Sequence, residues 1–89
     1  MIRLEVVICN ALGLHARAAA RFVQVASGFK SRIKVSHGGR TADGKSILGL
    51  LALVAAQGTR LTVSADGTDE QEALRSLVDL VQARFGEER

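Results

Sequence analysis

Ile2, Leu4, Val6 and Ile8 alternate with Arg3, Glu5 and Val7, the period-two rhythm of a strand buried on one face. A loop follows from Cys9 to Leu14, in which Gly13 permits a sharp turn. From Ala16 to Ser27 the rhythm becomes helical. Ala19, Phe22, Val23 and Ala26 make one face, Arg17, Arg21 and Gln24 another, and Gly28 stops the helix. "SRIKVSHGGRTAD" predicts a hairpin with Ile33 and Val35 inward, a tight turn at Gly38-Gly39 and a return strand from Arg40 to Asp43. "KSILGLLALVAAQG" predicts a helix capped by Ser46 and apolar on nearly every side as far as Gly58. "TRLTVSAD" alternates again, with Leu61, Val63 and Ala65 on one face. Thr68, with Gln71 three residues on, reads as a capping box. The helix after it lines up Leu74, Leu77, Val78, Val81 and Phe85 in one stripe.

The order is strand, helix, strand, strand, helix, strand, helix, an α+β class with helices on one face of a mostly antiparallel sheet. Arg3, Glu5, Arg32, Lys34, Arg60, Thr62 and Ser64 then form a solvated second face. Eighty-nine residues predict a single domain over 1–89 with one core. The lone Cys9 has no partner for an internal disulfide, which fits a reducing compartment. Arg3 and Glu5 interrupt the apolar start, so it reads as a strand rather than a leader or a membrane span, and a cytoplasmic monomer is expected. The net charge of +3 is scattered rather than clustered, and the 3 phenylalanines sit in or beside helical patterns. No rings stand on strands or loops to stack on bases, so an acidic protein partner suits the charge better than nucleic acid.

His15 falls where loop becomes helix, with the free amides of Ala16, Arg17 and Ala18 expected around it. A phosphoryl group on the ring would meet those donors and the positive end of the helix dipole. Arg17 adds a permanently charged fork suited to phosphate oxygens. The residues alone also fit a histidine that merely caps the helix. No second ligand lies at metal spacing, so no metal and no bound cofactor are expected.

"LGLHARAAARFVQVASGF" resembles the phosphorylatable segment of the HPr family, the phosphocarriers of the bacterial phosphotransferase system, and the likeness continues through "GRTADGKSILGLLALVAAQGTRLTVSADGTDEQEAL". Gly13, His15, Ala16, Arg17 and the Lys45-Ser46 helix start all stand at family spacing. The resemblance implies an open-faced β-sandwich of four antiparallel strands and three helices (βαββαβα). It implies phosphorylation of His15 on Nδ1 by Enzyme I, with phosphoenolpyruvate as the source, and transfer onward to an EIIA-type protein. Such a chain is a carrier rather than a turnover catalyst. The family often has proline after the arginine where this chain has Ala18. Alanine suits a first helical turn equally, and "HARAAA" looks more like the nitrogen-related regulatory branch of the system, or the HPr proteins of proteobacteria with incomplete sugar systems.

"GRTADGKS", Gly39 to Ser46, fits the phosphate-loop pattern G-x-x-x-x-G-K-[ST] letter for letter. A nucleotide-binding sheet needs parallel strands joined by crossovers, for which this chain is too short. Ser46 reads better as a helix cap. By resemblance it is a target of regulatory phosphorylation by an HPr kinase, and a module regulated purely through Ser46 is the alternative to the carrier. Ile47, Leu48 and Leu51 make an exposed apolar patch while Leu50 and Leu53 fill the core; by resemblance that patch lies beside the His15 helix start and faces partners, rimmed by Arg17 and Arg21. Cys9 and His37 are expected only to end a strand and flank a hairpin.

Overall fold

The computed structural model describes residues 1–89. It contains β1 (Ile2–Val7), α1 (Ala16–Ala26), β2 (Arg32–His37), β3 (Arg40–Asp43), α2 (Ile47–Leu51), β4 (Arg60–Asp66) and α3 (Glu70–Gln82). The strands form one antiparallel sheet in the order β1-β4-β2-β3. β4 is central, with Val63 opposite Leu4 on one side and Val35 on the other. The β2–β3 hairpin closes with His37 opposite Arg40. Gly38 and Gly39 take φ of +56° and +82° there, as a two-residue turn matched to strand twist requires. The predicted βαββαβα order is therefore observed.

One apolar layer lies between sheet and helices. Val6, Ile33, Val35, Leu61, Val63 and Ala65 meet Phe22, Leu50, Leu74, Leu77 and Val81, all buried. Leu50 and Leu53 fill the core as expected. Leu4 departs from its strand pattern. It shares a parity with Ile2 and Val6 but is 52% exposed, because β1 is an edge strand and its middle is incompletely covered.

Three further expectations are corrected. The apolar run after Ser46 is helical only as far as Leu51, not to Gly58. Val54 turns left-handed (φ +52°), and the chain beyond it gives its backbone to the first loop. Leu14 donates to the Ala55 carbonyl (2.8 Å), Gly58 to Ile8 (2.7 Å) and Ile8 to Thr59 (2.9 Å). The stripe ending in Phe85 is also broken. α3 stops at Gln82, and Phe85 is buried only because the chain reverses through Arg84, Phe85 and Gly86 at φ of +58°, +54° and +78°.

The capping box at Thr68 and Gln71 does not form. Asp69 flanks α3 instead, without capping it. Its carboxylate accepts from the Ser31 hydroxyl (2.5 Å) and from the amides of Ser31 (2.9 Å) and Lys30 (2.8 Å). It thereby clips the start of α3 to the turn between α1 and β2. The Ser31 hydroxyl and the Lys30 amide, in that order, hold the Asp69 carboxyl below its ordinary value against a smaller opposing effect of desolvation.

A depressed folded-state pKa means that the unfolded chain binds the proton more readily. The clip therefore stabilises fully above the ordinary aspartate range, and this is lost as pH falls through the lowered value. Asp69→Asn is expected to lower Tm at about pH 7, with the gap to wild type closing towards about pH 3. Thermal melts across that range check it; a gap independent of pH would contradict the clip.

Candidate functional site

His15 stands immediately before α1 in extended conformation (φ −82°, ψ −179°), and its side chain does not cap the helix. Its carbonyl accepts from Ala19 (2.8 Å). The amides of Ala16, Arg17 and Ala18 precede the first intrahelical donor and have no helical acceptor. No acidic residue occupies the first turn, so the positive end of α1 is uncompensated there.

The loop that delivers His15 is held from beneath. Gly13 is buried at φ +69°, and a Cβ there would stand 2.6 Å from the Ala55 carbonyl oxygen. Only glycine permits that approach. Asn10, fully buried, donates to the Gly13 carbonyl (2.8 Å) and to Glu87 Oε1 (2.8 Å). Its own Oδ1 finds no partner, a buried deficit that typically costs about 1–3 kcal/mol.

The imidazole is 26% exposed, and its Nε2 meets Glu87 Oε2, while Nδ1 makes no hydrogen bond within the chain. Partial burial pushes the Glu87 carboxyl up. Hydrogen bonds from Asn10 and His15, with the charges of the His15 ring and Arg17, outweigh that and hold it below its ordinary value. Arg17 is exposed and unpaired. Arg21, expected at the rim of the apolar patch, donates through Nη1 to the Phe85 carbonyl. Arg17, Arg21, Leu12, Gly86 and Glu87 line a shallow depression beside the histidine.

Ser46 caps α2, its Oγ accepting from the Gly49 amide (3.1 Å). The phosphate-loop reading fails here. Arg40–Asp43 is a strand paired antiparallel to β2, and Lys45 Nζ is engaged by the Phe29 carbonyl (2.8 Å). Leu48 is 80% and Ile47 40% exposed, whereas Leu51 is half-buried against the core. Apart from Met1 and the β1 residues Leu4 and Val7, every large exposed apolar side chain comes from segments next to His15 or on α2: Leu12, Ile47, Leu48 and Val54.

Comparison with known proteins decides the family. The family model described as "PTS HPr component phosphorylation site" matches residues 2–83. The chain belongs to the HPr family. It is similar to the phosphocarrier protein HPr of Cupriavidus necator (47% identity, 98% of each chain) and to that of Neisseria meningitidis serogroup A (48%, 98% of each). A crystal structure of HPr from Thermoanaerobacter tengcongensis superposes with a TM-score of 0.96, at 46% identity over the whole of both chains. The chain is thus a phosphocarrier of the phosphotransferase system, a protein that carries a phosphoryl group rather than a turnover catalyst. No helix is long and apolar enough to cross a membrane.

Sequence reasoning missed Asn10, Glu87, Leu12 and Val54. Asn10 and Glu87 lie 77 residues apart, and no local period signals their meeting. The exposure of Leu12 and Val54 follows from two loops packing on each other.

Gly13→Ala is expected to destabilise the fold by at least about 1–2 kcal/mol from the left-handed backbone alone, with the Ala55 contact adding to it. Gly58→Ala is the control, since Gly58 is also left-handed (φ +88°) with nothing within 4 Å of an added Cβ. Urea denaturation should show the Gly13 variant losing clearly more than the Gly58 variant; equal losses would refute the close-approach account.

Proposed function

We propose that His15 is the phosphoryl acceptor, receiving the group from Enzyme I, with phosphoenolpyruvate as its source, and passing it to an EIIA-type protein. The observation that carries this reading is a partly exposed imidazole, one ring nitrogen free of hydrogen bonds, on the residue at the N-cap position of α1, whose first-turn amides are unpartnered. An oxyanion built on that nitrogen would meet preorganised donors that need no reorganisation as charge develops. Arg17, exposed and with no partner of its own, can follow the phosphate oxygens. One mobile arginine and a few amides bind moderately, as a carrier requires, because each 1.4 kcal/mol of extra grip would shift the transfer equilibrium about tenfold.

Partners would dock on the apolar patch of Ile47 and Leu48 together with Leu12 and Val54, with Leu51 supporting it from below. The basic rim, mainly Arg17 with Arg21 pinned to the tail, suits acidic surfaces. The "HARAAA" wording favours a regulatory branch of the phosphotransferase system, in which the chain works as a cytoplasmic monomer.

A second reading concerns Ser46. An HPr kinase acting there would set roughly two negative charges beside Leu48 and Ile47, and so repel an acidic partner from the docking patch. On this reading Ser46 controls whether the carrier is engaged; a module that acts only by regulated binding is its extreme form.

With Enzyme I and labelled phosphoenolpyruvate, wild type is expected to take up an acid-labile, alkali-stable phosphate that His15→Ala does not. Arg17→Ala is expected to lower the rate constant for phosphorylation by about 10–100-fold, the worth of one charge-assisted hydrogen bond. Labelling of His15→Ala equal to wild type refutes the assignment. ATP with an HPr kinase should give an acid-stable phosphate absent from Ser46→Ala; no label with a competent kinase removes the Ser46 reading.

A further inference from the structure

We propose that Glu87 is a positioning residue for His15, fixing the ring proton on Nε2 and so making Nδ1 the nucleophile that takes the phosphoryl group. The inference rests on the reading of His15 as acceptor. It lies outside the family match, which ends at residue 83, and it comes from where the tail is placed.

Three features of the tail bring Glu87 to the ring, where its Oε2 meets His15 Nε2. Phe85 is buried, its carbonyl accepts from Arg21, and Asn10 donates to Glu87 Oε1. Reaching that position requires three consecutive left-handed residues, two of them Arg84 and Phe85. Bulky residues seldom adopt this conformation, and such strain persists only where surrounding contacts over-determine it. Asn10 adds a buried Oδ1 without a partner. The chain thus accepts unfavourable local features on both sides of one hydrogen bond.

The chemistry follows from the inventory of donors. An ionised carboxylate can only accept, so the proton in the His15–Glu87 bond belongs to Nε2. In the neutral ring the lone pair then lies on Nδ1. When that pair forms the N–P bond, the bond from phosphorus to the donor protein breaks and its electron pair stays with the donor. The Nε2 proton is retained, the ring becomes cationic, and Glu87 stands against it as the counter-charge. Onward transfer reverses the change: the N–P pair returns to Nδ1 as the acceptor's own pair bonds phosphorus. Glu87 repels the incoming phosphate at longer range. That repulsion is opposed by the neighbouring Arg17 and screened by solvent, whereas the Nε2 contact is direct.

The test joins a spectroscopic signature to a rate. In wild type, 15N NMR of the neutral His15 imidazole is expected to show the Nε2–H tautomer almost alone. Glu87→Ala should give a mixture of tautomers and slow phosphorylation by Enzyme I about tenfold. Glu87→Gln offers a carbonyl acceptor without the charge, so it should restore the tautomer and give a rate between the other two. A tautomer or a rate unchanged in Glu87→Ala overturns the proposal, as does a Glu87→Gln variant no better than alanine. If wild-type His15 takes no label at all, the carrier reading has failed, and the tautomer measurement still judges Glu87 separately.

Discussion

The hydrogen bond from the Leu14 amide to the Ala55 carbonyl, made over a glycine that leaves no room for a Cβ, decides where α1 begins. A helix start has no acceptors of its own for its first amides. Whether they are left open depends on what the preceding loop does. Here the loop is tied to the segment after α2, Gly13 takes the left-handed turn, and His15 is left extended at the mouth of the helix. Moving that anchor by one residue would place another side chain at the open amides. The sheet and core hold the two segments at the distance this bond needs.

The same anchor explains why an apolar segment stops being helical. Beyond Leu51 alanine and leucine still favour helix, yet the Ala55 and Thr59 carbonyls and the Gly58 amide pair with Leu14 and Ile8 instead. The exchange leaves Val54 and Leu12 outside, alongside Ile47 and Leu48. The proposed docking patch and the proposed phosphoryl site thus come from one packing decision. A carrier that must be read by a donor and an acceptor in turn benefits from having both on one rigid surface.

Electrostatics around the histidine is balanced rather than strongly positive. Arg17 and the helix dipole favour an anion, while Glu87 meets the ring at Nε2 and favours a cation there. On the proposed reading, a phosphorylated ring would have Arg17 for its phosphate and Glu87 for its cationic imidazole. Weak, opposed interactions suit a group that has to be given away as readily as it is received.

Much of this was legible in the chain because it is written locally. Alternation marked the strands, the helical stripe of Ala19, Phe22 and Ala26 marked α1, Gly38-Gly39 marked the hairpin, and Ser46 marked the start of α2. The position of His15 at a helix start also followed from neighbours within a few residues, and the surrounding wording sufficed for the family. Tertiary structure alone decided the rest. The clip of Asp69 on Ser31, the early end of α2, the reversal at Phe85 and the meeting of Asn10, His15 and Glu87 join groups tens of residues apart. Periodicity records only which face of an element is apolar. Which distant backbone competes for a carbonyl, and where a carboxylate lands, are settled only when the faces pack.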